Sequence, residues 1–127
     1  MKYQDCSKAG LDVKLPIMEC WENQHKSYEI TMVISEFTSV CPKTKLPDFG
    51  KITIQYVPDK LCVELKSLKE YMLSYRNLGI FYENVVNKIL KDFVSVCKPL
   101  YVSIVGDFNP RGGISTTVEA KYKKRRG

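Results

Sequence analysis

The feature that most constrains the fold of this 127-residue chain is a change in hydrophobic period along its length. Apolar residues first alternate with polar ones, then recur every three or four residues, and then alternate again. Alternation predicts β-strands, and the longer period predicts helices. A break at Asn77-Leu78-Gly79 separates the two helical segments, and Asn109-Pro110-Arg111-Gly112-Gly113 is a strong turn signal. The predicted strands are 28–34, 52–56, 100–108 and 114–122, and the predicted helices are 65–75 and 81–96.

This order, ββααββ, predicts an α+β domain in which two hairpins form a four-stranded antiparallel sheet and two helices cover one face. Both sheet edges and the other face would stay uncovered, and closure into a barrel removes such edges. We therefore predict that copies of the chain associate as a homo-oligomer. The domain is predicted to span 27–122, between an irregular N-terminal arm at 1–26 and a basic tail at 123–127.

The net charge of +6 is concentrated at the C-terminal end. Five of the 20 basic residues lie within the last seven positions, which leaves 15 against 14 acidic residues in the rest of the chain. A nearly neutral body with a charged end predicts a solvated tail rather than a nucleic-acid-binding surface. Contact between the tail and RNA is the alternative.

Cysteine and histidine usage limits the possible chemistry. The five cysteines form no Cys-x-x-Cys pair, and no secretion signal precedes the chain's polar start, which predicts reduced thiols and a cytoplasmic protein. One histidine, His25, and no recognisable ligand spacing argue against a catalytic metal. No apolar stretch approaches the roughly 20 residues of a membrane span, so no membrane association is expected.

Cys41 is a candidate nucleophile. It lies in a proline-punctuated segment between two predicted strands, a setting in which reactive groups are often displayed. Asp48, seven residues on, could return to the same pocket. A cysteine with a nearby acid commonly attacks electrophilic carbon at neutral pH. The alternative is that Cys41 only fills a gap in the core, since cysteine is among the most buried residue types.

Charged residues on the predicted helices offer a binding site. Lys66 and Lys69 would project from one side near the start of the first helix, beside free backbone N–H groups that favour phosphate. Glu83 falls in the first turn of the second helix and could accept two hydrogen bonds from a guanine-type base. Each also has a structural alternative: a solvated lysine-rich helix face, and a carboxylate that complements the helix dipole.

Several blocks together resemble the QueF family of nitrile reductases, which act on 7-cyano-7-deazaguanine in queuosine synthesis. The family signature, Glu-(Ser/Leu)-Lys-(Ser/Ala)-Leu-Lys, stands here as Glu64-Leu65-Lys66-Ser67-Leu68-Lys69. The resemblance covers 27–122 and includes Cys41-Pro42, Pro47-Asp48-Phe49, Ser74-Tyr75-Arg76-Asn77, Glu83 and Pro110-Arg111-Gly112-Gly113-Ile114. It implies the tunnelling fold, whose subunits close into barrels with active sites between neighbours.

The resemblance also implies residue roles. Cys41 would attack the nitrile carbon to form a covalent thioimide, and Asp48 would give a proton to the nitrogen. The deazaguanine would be held by Val63, Glu64, Leu65, Tyr82 and Glu83. NADPH would supply hydride, with its phosphates on Lys66, Lys69 and Arg111; no glycine-rich dinucleotide motif supports this independently.

One departure from the family concerns Tyr82, which stands where well-known members have histidine. A phenol donates a hydrogen bond but titrates near ~10, so it cannot shuttle protons at neutral pH as imidazole does.

Two alternatives to a reductase remain open. One is an archaeosine-forming amidinotransferase that acts on the same intermediate within tRNA, and the other is a non-enzymatic oligomer that binds purines or pterins.

Overall fold

The central feature of the computed structural model, which describes residues 2–125, is a four-stranded antiparallel sheet. Its strands lie in the order β2-β3-β5-β6, and the chain crosses from the first hairpin to the second through two helices. The predicted α+β class and the ββααββ core are therefore confirmed. The elements are a 3₁₀ turn at Tyr3–Cys6, β1 (Cys20–Glu22), β2 (Ile30–Val40), β3 (Pro47–Val57), β4 (Leu61–Val63), α1 (Leu65–Leu73), α2 (Tyr82–Cys97), β5 (Tyr101–Arg111) and β6 (Ile114–Lys123).

The core lies between one face of this sheet and the helices. Along β3 every second residue from Asp48 to Tyr56 is buried, as expected for a strand with one covered face. The ring of Phe93 from α2 packs edge-on against that of Tyr56, with centroids 4.9 Å apart. Packing of the apolar face of α2 against the sheet supplies most of the stability of this helix. No helix within residues 2–125 is both long and apolar enough to cross a membrane.

The N-terminal arm, which the sequence predicted to be irregular, contains a strand that the periodicity did not reveal. Strand β1 pairs antiparallel with β4 in a separate two-stranded sheet. The backbone N–H of Glu64 then donates to the carbonyl of Glu19 at 2.8 Å, and the N–H of Glu19 donates to Ser67 Oγ at 2.7 Å. Three residues are too few to show a period, so only the pairing partner defines this strand.

Both hairpins have longer strands and tighter turns than predicted. A β-bulge between Ile34 and Phe37 interrupts the alternation of β2, so the sequence pattern ends there although the strand continues. The segment between β2 and β3 shrinks to 41–46, and Asp48, predicted in a loop, lies in β3. The second turn consists of Gly112 and Gly113, whose φ angles of 59° and 81° suit a two-residue hairpin turn.

The predicted tail is partly ordered against the domain. Strand β6 includes Lys123, and the N–H of Lys124 donates to the carbonyl of Leu100 at 2.9 Å. Lys124 Nζ also pairs with Asp59 Oδ2 at 2.6 Å. The tail predicted at 123–127 therefore does not lie wholly beyond the last strand, since strand pairing holds Lys123 and an ion pair holds Lys124, although both side chains are exposed. Positions 126 and 127 lie outside the described residues.

Candidate active site

Cys41 lies at the first position of the turn that joins β2 to β3. Its N–H donates to the carbonyl of Leu46, and its carbonyl accepts from the N–H of Lys45, each at 2.9 Å. Lys45 has a φ of 64°, which lets the chain reverse within six residues. The sequence predicted a displayed thiol, but Cys41 is only 7% exposed. Its loop position is confirmed, while its exposure was overestimated because the turn folds back over it.

The surroundings of Cys41 favour its thiolate form. Burial alone would raise the pKa of the thiol. The nearby Thr44 hydroxyl, the N–H groups of Thr44 and Lys43, and Arg111 together outweigh burial, so the pKa of Cys41 lies below its ordinary value. A thiolate is the nucleophilic form of cysteine, and cysteines with lowered pKa are the reactive ones. Cys41 therefore fits a nucleophile better than a residue that only fills the core.

The carboxyl group of Asp48 is held by two donors from distant parts of the chain. Tyr82 Oη donates to Asp48 Oδ1 at 2.9 Å, and Arg111 Nη1 donates to the same oxygen at 2.5 Å. Asp48 is 5% exposed, so these two contacts replace water around that oxygen. No described residue donates to Oδ2, yet this oxygen is not sealed from solvent. The arrangement fixes one oxygen of the carboxyl and leaves the other free for proton transfer.

Tyr82 opens α2 and is fixed by its ring as well as by its hydroxyl. The ring stacks on Phe108 of β5 with a centroid distance of 3.9 Å and an interplanar angle of 8°. Burial, together with the hydrogen bond to Asp48, raises the pKa of Tyr82 to about 12. The phenol therefore stays protonated at neutral pH and serves as a fixed hydrogen-bond donor to the carboxyl.

Arg111 reaches Asp48 from the end of β5, immediately before the Gly112–Gly113 turn. Its side chain is 40% exposed, so part of the guanidinium faces solvent. The charge of Asp48 raises the pKa of Arg111 above its ordinary value. The sequence assigned Arg111 to the cofactor, whereas its direct contact in the structure is with the candidate acid.

Glu83 follows Tyr82 in the first turn of α2, as predicted, and is exposed. Its carboxylate makes no hydrogen bond or ion pair with any residue between 2 and 125, so both oxygens are free to accept. Glu83 directly follows Tyr82, whose hydroxyl contacts Asp48.

The second group of predicted residues lies at the start of α1. The carboxylate of Glu64 accepts from the N–H groups of Lys66 at 2.6 Å and Ser67 at 2.9 Å and so caps the helix. The prediction that these N–H groups are free for a phosphate is therefore wrong, because the side chain of Glu64 already occupies them. The bonds to Lys66 and then to Ser67 hold the pKa of Glu64 below its usual range. Val63 is buried, whereas Leu65, Lys66 and Lys69 are exposed.

No hydrogen bond or ion pair among residues 2–125 joins the two groups. The N–H of Val63 donates to Tyr56 Oη at 3.1 Å, and Tyr56 lies eight positions along β3 from Asp48, about 26 Å of strand. Leu65 and Lys69 of α1 line one cleft together with Phe37 and Thr38 of β2. The start of α1 thus lies toward the Tyr56 end of the sheet, and Cys41 and Asp48 lie toward the other end.

The structure also adds residues that sequence reasoning missed. Thr44 supports the thiolate of Cys41, and Phe108 supports the ring of Tyr82. Thr44 lies within the Cys41 block and could have been considered there, but nothing in the sequence links Phe108 to Tyr82. Among residues 2–125 no three His, Cys, Asp or Glu side chains form a group that could hold a metal ion.

Comparisons with known proteins show which family this chain resembles. The pattern of the QueF-like protein family matches residues 47–127. A protein named NADPH-dependent 7-cyano-7-deazaguanine reductase from Elusimicrobium minutum is 57% identical over 123 residues, covering 96% of this chain and 93% of its own. One of the same name from Chloroherpeton thalassium is 58% identical over 113 residues, covering 87% of this chain and 97% of its own.

A solved structure supports the fold. The crystal structure of an archaeosine synthase, described as QueF-like and in the apo form, matches with a TM-score of 0.73 at 20% identity, covering 80% of this chain and 100% of that one. At this identity the likeness concerns the fold alone. The sequence matches, by contrast, cover most of the chain at high identity, and they establish that the chain belongs to the QueF-like protein family.

Proposed function

We propose that the protein is an NADPH-dependent 7-cyano-7-deazaguanine reductase, which converts the nitrile of its substrate to the amine of 7-aminomethyl-7-deazaguanine in queuosine biosynthesis. The observation that carries the proposal is a cysteine of lowered pKa beside a buried carboxyl that two donors hold by one oxygen. The relatives at 57% and 58% identity bear the name of this activity, which favours it over the alternatives.

Cys41 and Asp48 would carry the covalent step. The sulfur of Cys41 adds to the nitrile carbon, one π bond of the C≡N group breaks, and Asp48 delivers a proton from Oδ2 to the nitrogen. The product is a thioimide, in which the carbon can accept hydride. Net addition of S–H across the triple bond requires no external proton, because the thiol's own proton can pass through Asp48.

Reduction of the thioimide to the amine requires two hydrides and two protons. Bound NADPH would supply the hydride at each stage. After the first, the C–S bond breaks, the thiolate of Cys41 leaves and an imine remains; Cys41 then regains a proton. After the second, the nitrogen takes the other proton and the amine forms. The hydrogen bonds that stabilise the thiolate of Cys41 would make it a better leaving group as well as a nucleophile.

Substrate recognition would fall to Glu83 and the segment Val63–Leu65. The free carboxylate of Glu83 suits the N1–H and exocyclic amine of a guanine-type base, as a charge-assisted pair. Val63 and Leu65 would line the ring, and Glu64, by capping α1, would fix the position of this segment. We propose that Tyr82 orients Asp48 as well as bordering the base.

The positive charges of the proposed cofactor-binding residues suit the phosphate groups of NADPH. Lys66 and Lys69 are exposed on the first two turns of α1, where their ammonium groups could bind phosphate, although Glu64 caps the N–H groups at the start of the helix. Arg111 has one of its five donors on Asp48, and its exposed part could bind a phosphate as well. We therefore retain Lys66, Lys69 and Arg111 as cofactor contacts, with Arg111 also serving the acid.

A complete site would need two copies of the chain. Within the described chain no hydrogen bond or ion pair joins Cys41 or Asp48 to the start of α1, which lies near Tyr56, eight positions along β3 from Asp48. Within the described chain the outer edge of β6 and most of that of β2 are open; Val40, at the end of β2, is bridged to Gly79. Beside β2 a cleft of about 230 Å³ is lined mostly by apolar residues, together with Glu36, Thr38, Lys69 and Arg76. We propose a homo-oligomer, closed into barrels, whose neighbouring copies supply the two halves of each site. A light-scattering mass near 14.6 kDa at micromolar concentration would refute it.

Intact-protein mass after incubation with 7-cyano-7-deazaguanine tests the function. We expect an adduct equal to the mass of the substrate, carried by wild type and absent from Cys41→Ala, and discharged by NADPH to the amine. An adduct that only ammonia or another amine donor discharges would indicate the amidinotransferase. Binding without any adduct would indicate the non-enzymatic module.

A further inference from the structure

Ser39 stands directly opposite the candidate acid in the sheet. The register pairs Ser39 of β2 with Asp48 of β3, and the two side chains of such a pair point to the same face. That face is the helix-covered one, since both residues are buried. The Cβ atoms of directly paired residues lie about 4.5–5.5 Å apart. A rotation about one side-chain bond could therefore bring the hydroxyl of Ser39 to the carboxyl of Asp48.

The hydroxyl of Ser39 is buried and has no hydrogen-bond partner. Ser39 is 0% exposed, and among residues 2–125 its Oγ is the one sealed side-chain oxygen or nitrogen that lacks a partner. A sealed, unpaired hydroxyl lowers stability, and nearly all buried polar groups are paired. Packing alone would be satisfied by alanine. The resting fold thus gives no reason for a serine at this position.

Asp48 has an oxygen that matches this hydroxyl. Tyr82 and Arg111 both donate to Oδ1, whereas no described residue donates to Oδ2. When Asp48 gives its proton to the substrate nitrogen, Oδ2 gains negative charge without a donor. An unpaired hydroxyl on the same face is suited to donate to it at that moment.

We propose that Ser39 is a positioning residue for Asp48, which donates its O–H to Oδ2 as the proton leaves for the nitrile nitrogen. The hydroxyl keeps its own proton, and Asp48 is the group that transfers one. Because the bond is absent at rest and forms during proton transfer, it stabilises the transition state and not the bound substrate. This role rests on the proposed function, since it requires Asp48 to act as the acid.

The test compares Ser39→Ala with Ser103→Ala. Ser103 is also buried, at 4% exposure, but its Oγ donates to Glu119 Oε2 at 3.2 Å, away from Asp48. For Ser39→Ala we expect the rate of thioimide formation at saturating substrate, measured without NADPH, to fall about tenfold or more. Its substrate Kd should be unchanged and its Tm equal or higher. Ser103→Ala should show the reverse, with a lower Tm and an unchanged rate.

A double-mutant cycle shows whether Ser39 acts through Asp48. In an Asp48→Asn background, Ser39→Ala should cause less than a twofold further loss in the rate of thioimide formation. A further tenfold loss there, an unchanged rate in the single variant, or a clearly lower Tm for Ser39→Ala would each overturn the proposal. If wild type itself forms no adduct, the proposed function fails instead, so the two failures are distinguishable.

Discussion

The substitution Tyr82→Phe tests whether Tyr82 holds the carboxyl of Asp48 or binds the base; Tyr82 stands where the family pattern has histidine. The change removes one oxygen and keeps the ring that stacks on Phe108 at 3.9 Å. The lost bond is the one to Asp48 Oδ1, and a hydrogen bond to a charged group contributes about 1.5–3 kcal/mol. Arg111 still donates to the same oxygen, so we expect the lower end of this range. That corresponds to a loss of roughly tenfold in rate.

The rate to measure is thioimide formation at saturating substrate without NADPH, because it isolates the step that uses Asp48. The substrate Kd, measured in a Cys41→Ala background, should change less than about twofold, since the lost bond is not to the base. The loss should be the same from pH 6 to 9, because a phenol whose pKa is raised to about 12 does not titrate in that range. Tyr122→Phe, which removes a hydroxyl without a hydrogen bond to residues 2–125, is the matched control.

Two outcomes would refute this reasoning. A weaker Kd with an unchanged rate at saturation would show that Tyr82 binds the base and does not hold the acid. A loss of a hundredfold or more, with a displaced pH optimum, would show that the phenol takes part in proton transfer.

Three further predictions concern the nucleophile and its surroundings. Cys41→Ser should abolish both the adduct and NADPH oxidation while keeping the fold and assembly; substantial turnover would exclude the covalent mechanism. Alkylation of Cys41 should persist to lower pH than that of a free cysteine, because its pKa is lowered, and the same pH dependence as free cysteine would contradict this. Arg111→Met should slow thioimide formation about tenfold, a figure reduced for solvent screening because the side chain is 40% exposed. If only the KM for NADPH changed, Arg111 would bind the cofactor and would not assist Asp48.

The sequence predicted the ββααββ order because each element's evidence is local. The apolar stripe of α2, the alternation in β3 and the Gly112–Gly113 turn are each contained in a few consecutive residues. The same is true of Cys41 and Glu83, which could be singled out from their immediate neighbours. Elements without a local pattern were missed: β1 has three residues, and the bulge hides the second half of β2.

The organisation of the site was decided by tertiary structure. Asp48 meets Tyr82 across 34 positions and Arg111 across 63, and only strand register places Ser39 opposite it. Periodicity carries no information on such pairs, because a shift of one residue in register would send every side chain to the other face. The sequence by itself therefore determined the ββααββ order and the family resemblance, and it singled out Cys41 as the candidate nucleophile. Only the packed sheet determined that Cys41 is buried, that Tyr82 and Arg111 contact Asp48, and that the start of α1 lies toward the Tyr56 end of β3.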